Sequence, residues 1–188
     1  MSLHLASTDA GNALLARDPL ALVLALMLDQ QVPMEKAFTS PSVLAERLGV
    51  PRLDAAAIAA MPPDELVEVF RTPPALHRFP GAMAGRAQQL CQRVVDDWGG
   101  DAANLWAGVG SGAELVRRLE ALPGFGPQKA RIFTALLAKQ LGVRPDGWQE
   151  AAGEYGQDGF RSVADIVDEA SKAKVREYKK ATKARAKA

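Results

Sequence analysis

One cysteine and two histidines are the only thiol and imidazole groups in this chain. The lone Cys91, in "RAQQLCQRVV", forms no internal disulfide and cannot supply the four thiolates of an iron–sulfur cluster. His4 and His77 have no second histidine or cysteine at ligand spacing, so no side-chain metal site is expected. Long apolar runs are also missing. The longest, "PLALVLALML" at residues 19–28, is too short to cross a bilayer and reads as a buried core helix. The opening "MSLHLASTDAGNALLARD" lacks the basic start and apolar core of a signal peptide, so a cytoplasmic protein is expected. Sustained period-2 alternation of β-branched residues is absent, so little or no sheet is expected. No internal repeat occurs.

What is present is an ordinary globular composition: 48% hydrophobic and 24% charged residues across 188 positions, which excludes wholesale disorder and allows one domain or two small lobes. The net charge of +1 hides an asymmetry. Residues 171–188, "SKAKVREYKKATKARAKA", carry eight cations against the single Glu177, a local +7 that leaves −6 for the rest. Such a basic helix or tail on an acidic body holds polyanions. A solvated, fraying helix accounts for it equally well.

Helices follow one another with their own punctuation. Asp18-Pro19 opens one expected to run through Gln31, and Ser40-Pro41 opens "SVLAERLG", closed by Gly49. Others are expected over "DAAAIAAM", "PDELVEVFR", "GAMAGRAQQLCQRVVDDWGG", "GAELVRRLEAL" and "PQKARIFTALLAKQLG". The class is all-α, with a main domain over 1–170 and the basic segment beyond it.

Between the last two helices stands "LPGFGPQKA", residues 122–130. Gly124 and Gly126 permit positive φ and remove Cβ atoms that would hold another backbone away. Pro127 fixes the first helical residue and leaves the following amides pointing outward along the positive end of the helix dipole. The stretch is either a tight connector or a backbone grip for a phosphate.

"LPGFGPQKA" resembles the helix-hairpin-helix of the DNA glycosylase superfamily that includes endonuclease III, with its Leu-Pro-Gly-x-Gly-x-x-x-Ala form. "LMLDQQVPMEKAF" is similar to that family's early helix and following connector, and the resemblance covers roughly residues 18–150. It implies two helical lobes around a central cleft, without an iron–sulfur cluster. It also implies a monomer that binds duplex DNA near the nucleoid, extrudes a damaged base and hydrolyses its N-glycosidic bond.

The roles carried over fall on particular residues. Gly124, Phe125, Gly126, Gln128 and Lys129 would hold the DNA backbone, with a monovalent cation on the hairpin backbone at Gly124 and Gly126 as the only metal. Gln31, with Gln30, would fill the vacated stack; otherwise it is a polar helix end. The family aspartate lies about twenty residues past the second hairpin glycine, where it activates water or stabilises charge on the sugar. That count reaches Asp146, here in "VRPDGWQEA" rather than the family's usual context. Asp146 and Gln149 also fit a capping box.

Asp29 is a second catalytic candidate, Glu35 a weaker one. The lyase lysine of bifunctional members is replaced by Gln128, which disfavours strand cleavage. Trp148, His77 and Phe79 could wall a base pocket, with Tyr155 in a further connector; core packing is the alternative. Arg78, Arg86 and Lys139 could add backbone contacts or be solvated surface. A protein of this fold that binds DNA structures without chemistry is the other reading.

Overall fold

Proline and aspartate set where the helices begin. In the computed structural model, which describes residues 2–188, Asp18 caps the apolar helix with Pro19 in its first turn. Its buried carboxylate accepts from Leu20 N–H (3.0 Å), Ala21 N–H (3.2 Å) and, across a loop, Leu53 N–H (2.8 Å). One side chain thus starts a helix and ties down residue 53.

The described residues form ten α-helices with short 3₁₀ turns and no β-strand; one isolated parallel bridge joins Ser111 and Asp146. The helices are α1 (Asp9–Arg17), α2 (Pro19–Leu28), α3 (Met34–Leu48), α4 (Ala55–Ala60), α5 (Pro63–Arg71), α6 (Pro80–Trp98), α7 (Gly112–Glu120), α8 (Pro127–Gln140), α9 (Trp148–Ala152) and α10 (Glu169–Ala186). The chain is all-α. No single described helix is long and apolar enough to cross a membrane.

Two expected boundaries move. The α2 helix ends at Leu28 rather than Gln31, and Gln31 takes a positive φ of 55°, which non-glycine residues seldom adopt within a helix. Pro41 does not open a helix but lies inside α3. An internal proline costs a helix about 3 kcal/mol. Burial of Phe38, Leu44 and Ala45 holds the helix together across it, and Ser40 Oγ lies within hydrogen-bond distance of both the Lys36 carbonyl (2.8 Å) and the Leu76 carbonyl (2.7 Å).

The chain divides into two compact units. One comprises residues 2–107 and 121–125. Its center is α2, buried from Leu20 to Leu28 and packed against α1 and α3, with α4 and α5 on α6. The other comprises residues 108–120 and 126–188. There α8 buries Phe133 to Ala138 and packs against α7 and α9. The first half of α10 belongs to this unit through buried Ser171, Lys172 and Val175.

Candidate nucleic-acid interface

The two hairpin helices, α7 and α8, pack on each other, so the connector between them is held at both ends. Its two glycines do different work. Gly124 has φ +83°, and a Cβ there would meet Met27 Cγ at 2.6 Å and Arg86 Cδ at 2.8 Å. Both the turn and the packing demand glycine.

Gly126 is extended, with φ −106° and ψ −176°, not positive as expected from its type. An ideal Cβ on it has nothing within 4 Å. Neither conformation nor internal space calls for glycine at 126.

Gly126 is also the N-cap of α8, a position without a side-chain cap. Gly126, Pro127 and Gln128 are exposed. The opening turn therefore faces solvent with the positive end of a 14-residue helix behind it. Two members of the expected grip are redirected inward. Phe125 is buried, and its N–H donates to the Leu122 carbonyl at 3.1 Å, so neither its ring nor its amide faces a phosphate. Gln128 Nε2 donates to the hydroxyl of buried Tyr155 at 3.0 Å, which leaves its backbone, rather than its side chain, for the grip.

In the same unit Asp146 is exposed, and its backbone carbonyl accepts from Gly112 N–H at 2.8 Å. That bond ties residue 146 to the first turn of α7. The capping box with Gln149 does not form: α9 starts after Gly147, which is left-handed, and no side chain caps it. The Asp146 carboxylate is thus unburdened by a helix-capping task. Trp148, two residues on, opens α9 half-buried.

Also on α7, Glu114 pairs with Arg118 one turn away, and this hydrogen bond, aided by the Gly110 amide, holds the Glu114 carboxyl below its ordinary value. Lys139 is absorbed by internal bonds to Asp165 Oδ1 (2.6 Å) and the Gln157 carbonyl (2.7 Å), which removes it as a DNA contact.

The other unit holds the connector from α2 to α3. His77 lines a depression beside Gln31, but its ring is buried at 1% exposure and engaged by hydrogen bonds. Nδ1 accepts from Phe79 N–H (3.0 Å), so the proton sits on Nε2, which lies 3.1 Å from the Leu28 carbonyl and 3.0 Å from the Gln30 carbonyl. The histidine clamps the end of α2 to the loop before α6. Nothing local in the sequence signals this, because the partners lie 47 positions apart.

Around that clamp, Asp29 is the half-buried C-cap of α2. Gln30 turns inward, donating to the Met27 carbonyl (3.0 Å) and accepting from Arg86 (3.4 Å), which removes it as a stack filler. Gln31 is exposed. Phe79 is 41% exposed beneath the Arg78 guanidinium, 5.2 Å from its ring center. Gln31, Lys36, His77, Arg78 and Pro80 line an open depression of about 480 Å³ here. Lys36, which no local sequence pattern marks, donates to the Ala75 carbonyl at 2.6 Å. Comparison of the chain with protein-family models and with curated proteins returns no match.

Proposed function

We propose that this protein is a helix-hairpin-helix DNA-binding protein that hydrolyses the N-glycosidic bond of an extruded, damaged base. The observation that carries the binding half is Gly126: an exposed glycine, at an uncapped helix start, that the chain's own conformation and packing do not require. A missing side chain with no internal use serves a partner that must come close, and the dipole behind it selects an anion. A phosphate on the DNA backbone meets both conditions and carries no sequence information.

The chemistry proposed rests on Asp146. With a base extruded, its carboxylate accepts a proton from water as the water oxygen bonds to C1′ of the sugar. The C1′–N bond breaks, its electron pair leaves with the base, and the base is protonated from solvent. The products are a free base and an abasic site. Negative charge at Asp146 also stabilises the cationic character that C1′ acquires as the bond lengthens. Gln31, exposed at the tip of its connector, is assigned to the vacated space in the stack. Gln128 in place of a lysine leaves strand scission without a Schiff-base nucleophile.

A second reading, binding without hydrolysis, has one observation in its favour. The Asp146 side chain is exposed, where its charge acts through a high-dielectric medium that weakens its hold on a developing cation. Incubation with duplexes carrying uracil, hypoxanthine, alkylated purines or oxidised pyrimidines separates the two. Release of any free base supports hydrolysis, whereas tight binding with no release across the panel leaves the binding reading.

A further inference from the structure

The C-terminal half of α10 is a rod without a floor. Helix α10 is anchored as far as Tyr178, whose hydroxyl donates to Glu154 Oε2 at 3.1 Å and lies 3.2 Å from Arg161 Nη1. Lys172, at the anchored end, is buried and paired with Glu169 at 2.5 Å. From Lys179 to Ala188 every residue is exposed, although the helix continues to Ala186.

At about 100° per residue, Arg176, Lys179, Lys180, Lys183 and Lys187 fall within an arc of about 100° and a length of about 16 Å. Glu177, the one acid nearby, projects outside that arc. Like charges four apart, Arg176 with Lys180, Lys179 with Lys183 and Lys183 with Lys187, oppose the helix by a few tenths of a kcal/mol each. An external polyanion along the stripe converts these repulsions into attraction.

Two features select the polyanion. Residues 179–188 contain only Lys, Arg, Ala and Thr, with none of the Trp, Phe or Leu by which an interfacial helix enters a membrane. Lysines dominate the stripe, and the lysine ammonium is a point charge suited to phosphates without the fixed geometry of a guanidinium. About 16 Å of duplex axis carries about ten phosphates over both strands, enough to face all five cations.

We propose that this stripe of α10 is a second, sequence-independent contact to the phosphate backbone of duplex DNA. The choice of duplex rests on the reading of the hairpin as a DNA grip; the polyanion character rests on the stripe alone.

The test compares the full chain with a fivefold variant (Arg176→Gln, Lys179→Gln, Lys180→Gln, Lys183→Gln, Lys187→Gln), measuring affinity for an undamaged duplex by fluorescence anisotropy across a KCl series. Each phosphate contact contributes about 0.9 to the slope of log K against log salt, so the variant's slope is expected to be shallower by about 4. Its affinity at the lowest salt is expected to fall at least about tenfold.

A fourfold variant that retains Arg176 guards against any structural role of that residue, and should lose about one contact less. An unchanged slope overturns the proposal. So does binding of the wild type, through the same lysines, to phosphatidylserine vesicles with no change in the duplex slope. If the duplex slope responds as expected but no base is released, the stripe stands and the hydrolytic reading falls. Base release with an unchanged slope keeps the hydrolytic reading and removes the stripe. A wild type that binds no duplex at any salt removes both.

Discussion

The Nε2 atom of His77 lies 3.0 Å from the Gln30 carbonyl oxygen, while Nδ1 of the same ring accepts the Phe79 amide proton. One buried side chain therefore ties the backbone just before Gln31, the residue assigned to the DNA stack, to the loop that precedes α6. His77→Ala leaves two carbonyls and an amide without this partner, at a cost of about 2–3 kcal/mol to stability. It should also weaken binding to a duplex with an unpaired nucleotide more than binding to an undamaged one. A purely structural role would lower both equally, as judged below the melting range of the variant. Gln at position 77 should restore part of the difference by donating to one carbonyl.

Gly124 and Gly126 separate the internal from the external use of glycine. Alanine at 124 meets a left-handed φ, which costs about 1–2 kcal/mol. It also collides with Met27 and Arg86. Thermal unfolding should show clear destabilisation. Alanine at 126 meets extended backbone and open space and should move the melting temperature by only a few degrees, an effect of the weaker N-cap. Its effect belongs to binding: a methyl group between the helix start and a phosphate should lower duplex affinity about tenfold or more. Equal affinity of the Gly126→Ala protein and the wild type would remove the phosphate grip.

Asp18 was legible in the sequence as an N-cap, and the structure adds Leu53 as its third donor. Asp18→Ala should cost about 3 kcal/mol, combining a lost cap with a buried amide left unpaired. Asp18→Asn keeps an acceptor for the cap but sets an NH₂ against an N–H, so an intermediate loss is expected. Denaturant titration orders the three proteins; an Asn variant as unstable as the Ala variant would show that the Leu53 bond dominates.

The helices were readable because their signals are local. Asp18-Pro19, Asp54 before α4, and Gly49 and Gly99 at left-handed C-caps act within one turn of where they stand. Ser40-Pro41 misled, since the same pair that opens a helix is tolerated inside one when the flanking face is buried. At the site, the hairpin glycines were legible as a pair, but not as two residues with opposite reasons. The inward turns of Gln30, Phe125 and His77 depend on Arg86, the Leu122 carbonyl and the ends of α2. The Gln30 and His77 partners lie about 50 residues away along the chain, beyond any local pattern.

Cys91 is fully buried in α6, and burial, reinforced by the charges of Asp54 and Asp18, pushes its thiol up from 9.0 to about 12. A thiol reagent at pH 8 should leave the native protein unmodified and label it only as fast as it unfolds. The folded state holds this proton more tightly than the unfolded state. The associated stability is therefore complete below pH 9 and lost as pH rises toward 12. Cys91→Ala should lose less stability than the wild type over that alkaline window, and equal slopes for the two would refute the burial effect.

Asp146 is held by its backbone, through the carbonyl on Gly112 and the bridge to Ser111, and its side chain is exposed, so the side chain can be changed without disturbing the scaffold. Asp146→Asn should melt with the wild type and bind undamaged duplex with the same or slightly higher affinity, since one negative charge facing DNA is removed. Loss of the carboxylate should slow base release by about a hundredfold or more, the scale of a general base. Asp29→Asn serves as the paired comparison because Asp29 ends α2 half-buried. If base release survives at 146 and is lost at 29, the reacting carboxylate belongs to α2. If both single variants release base at the wild-type rate, neither acid carries the reaction, and the water must be activated by another group.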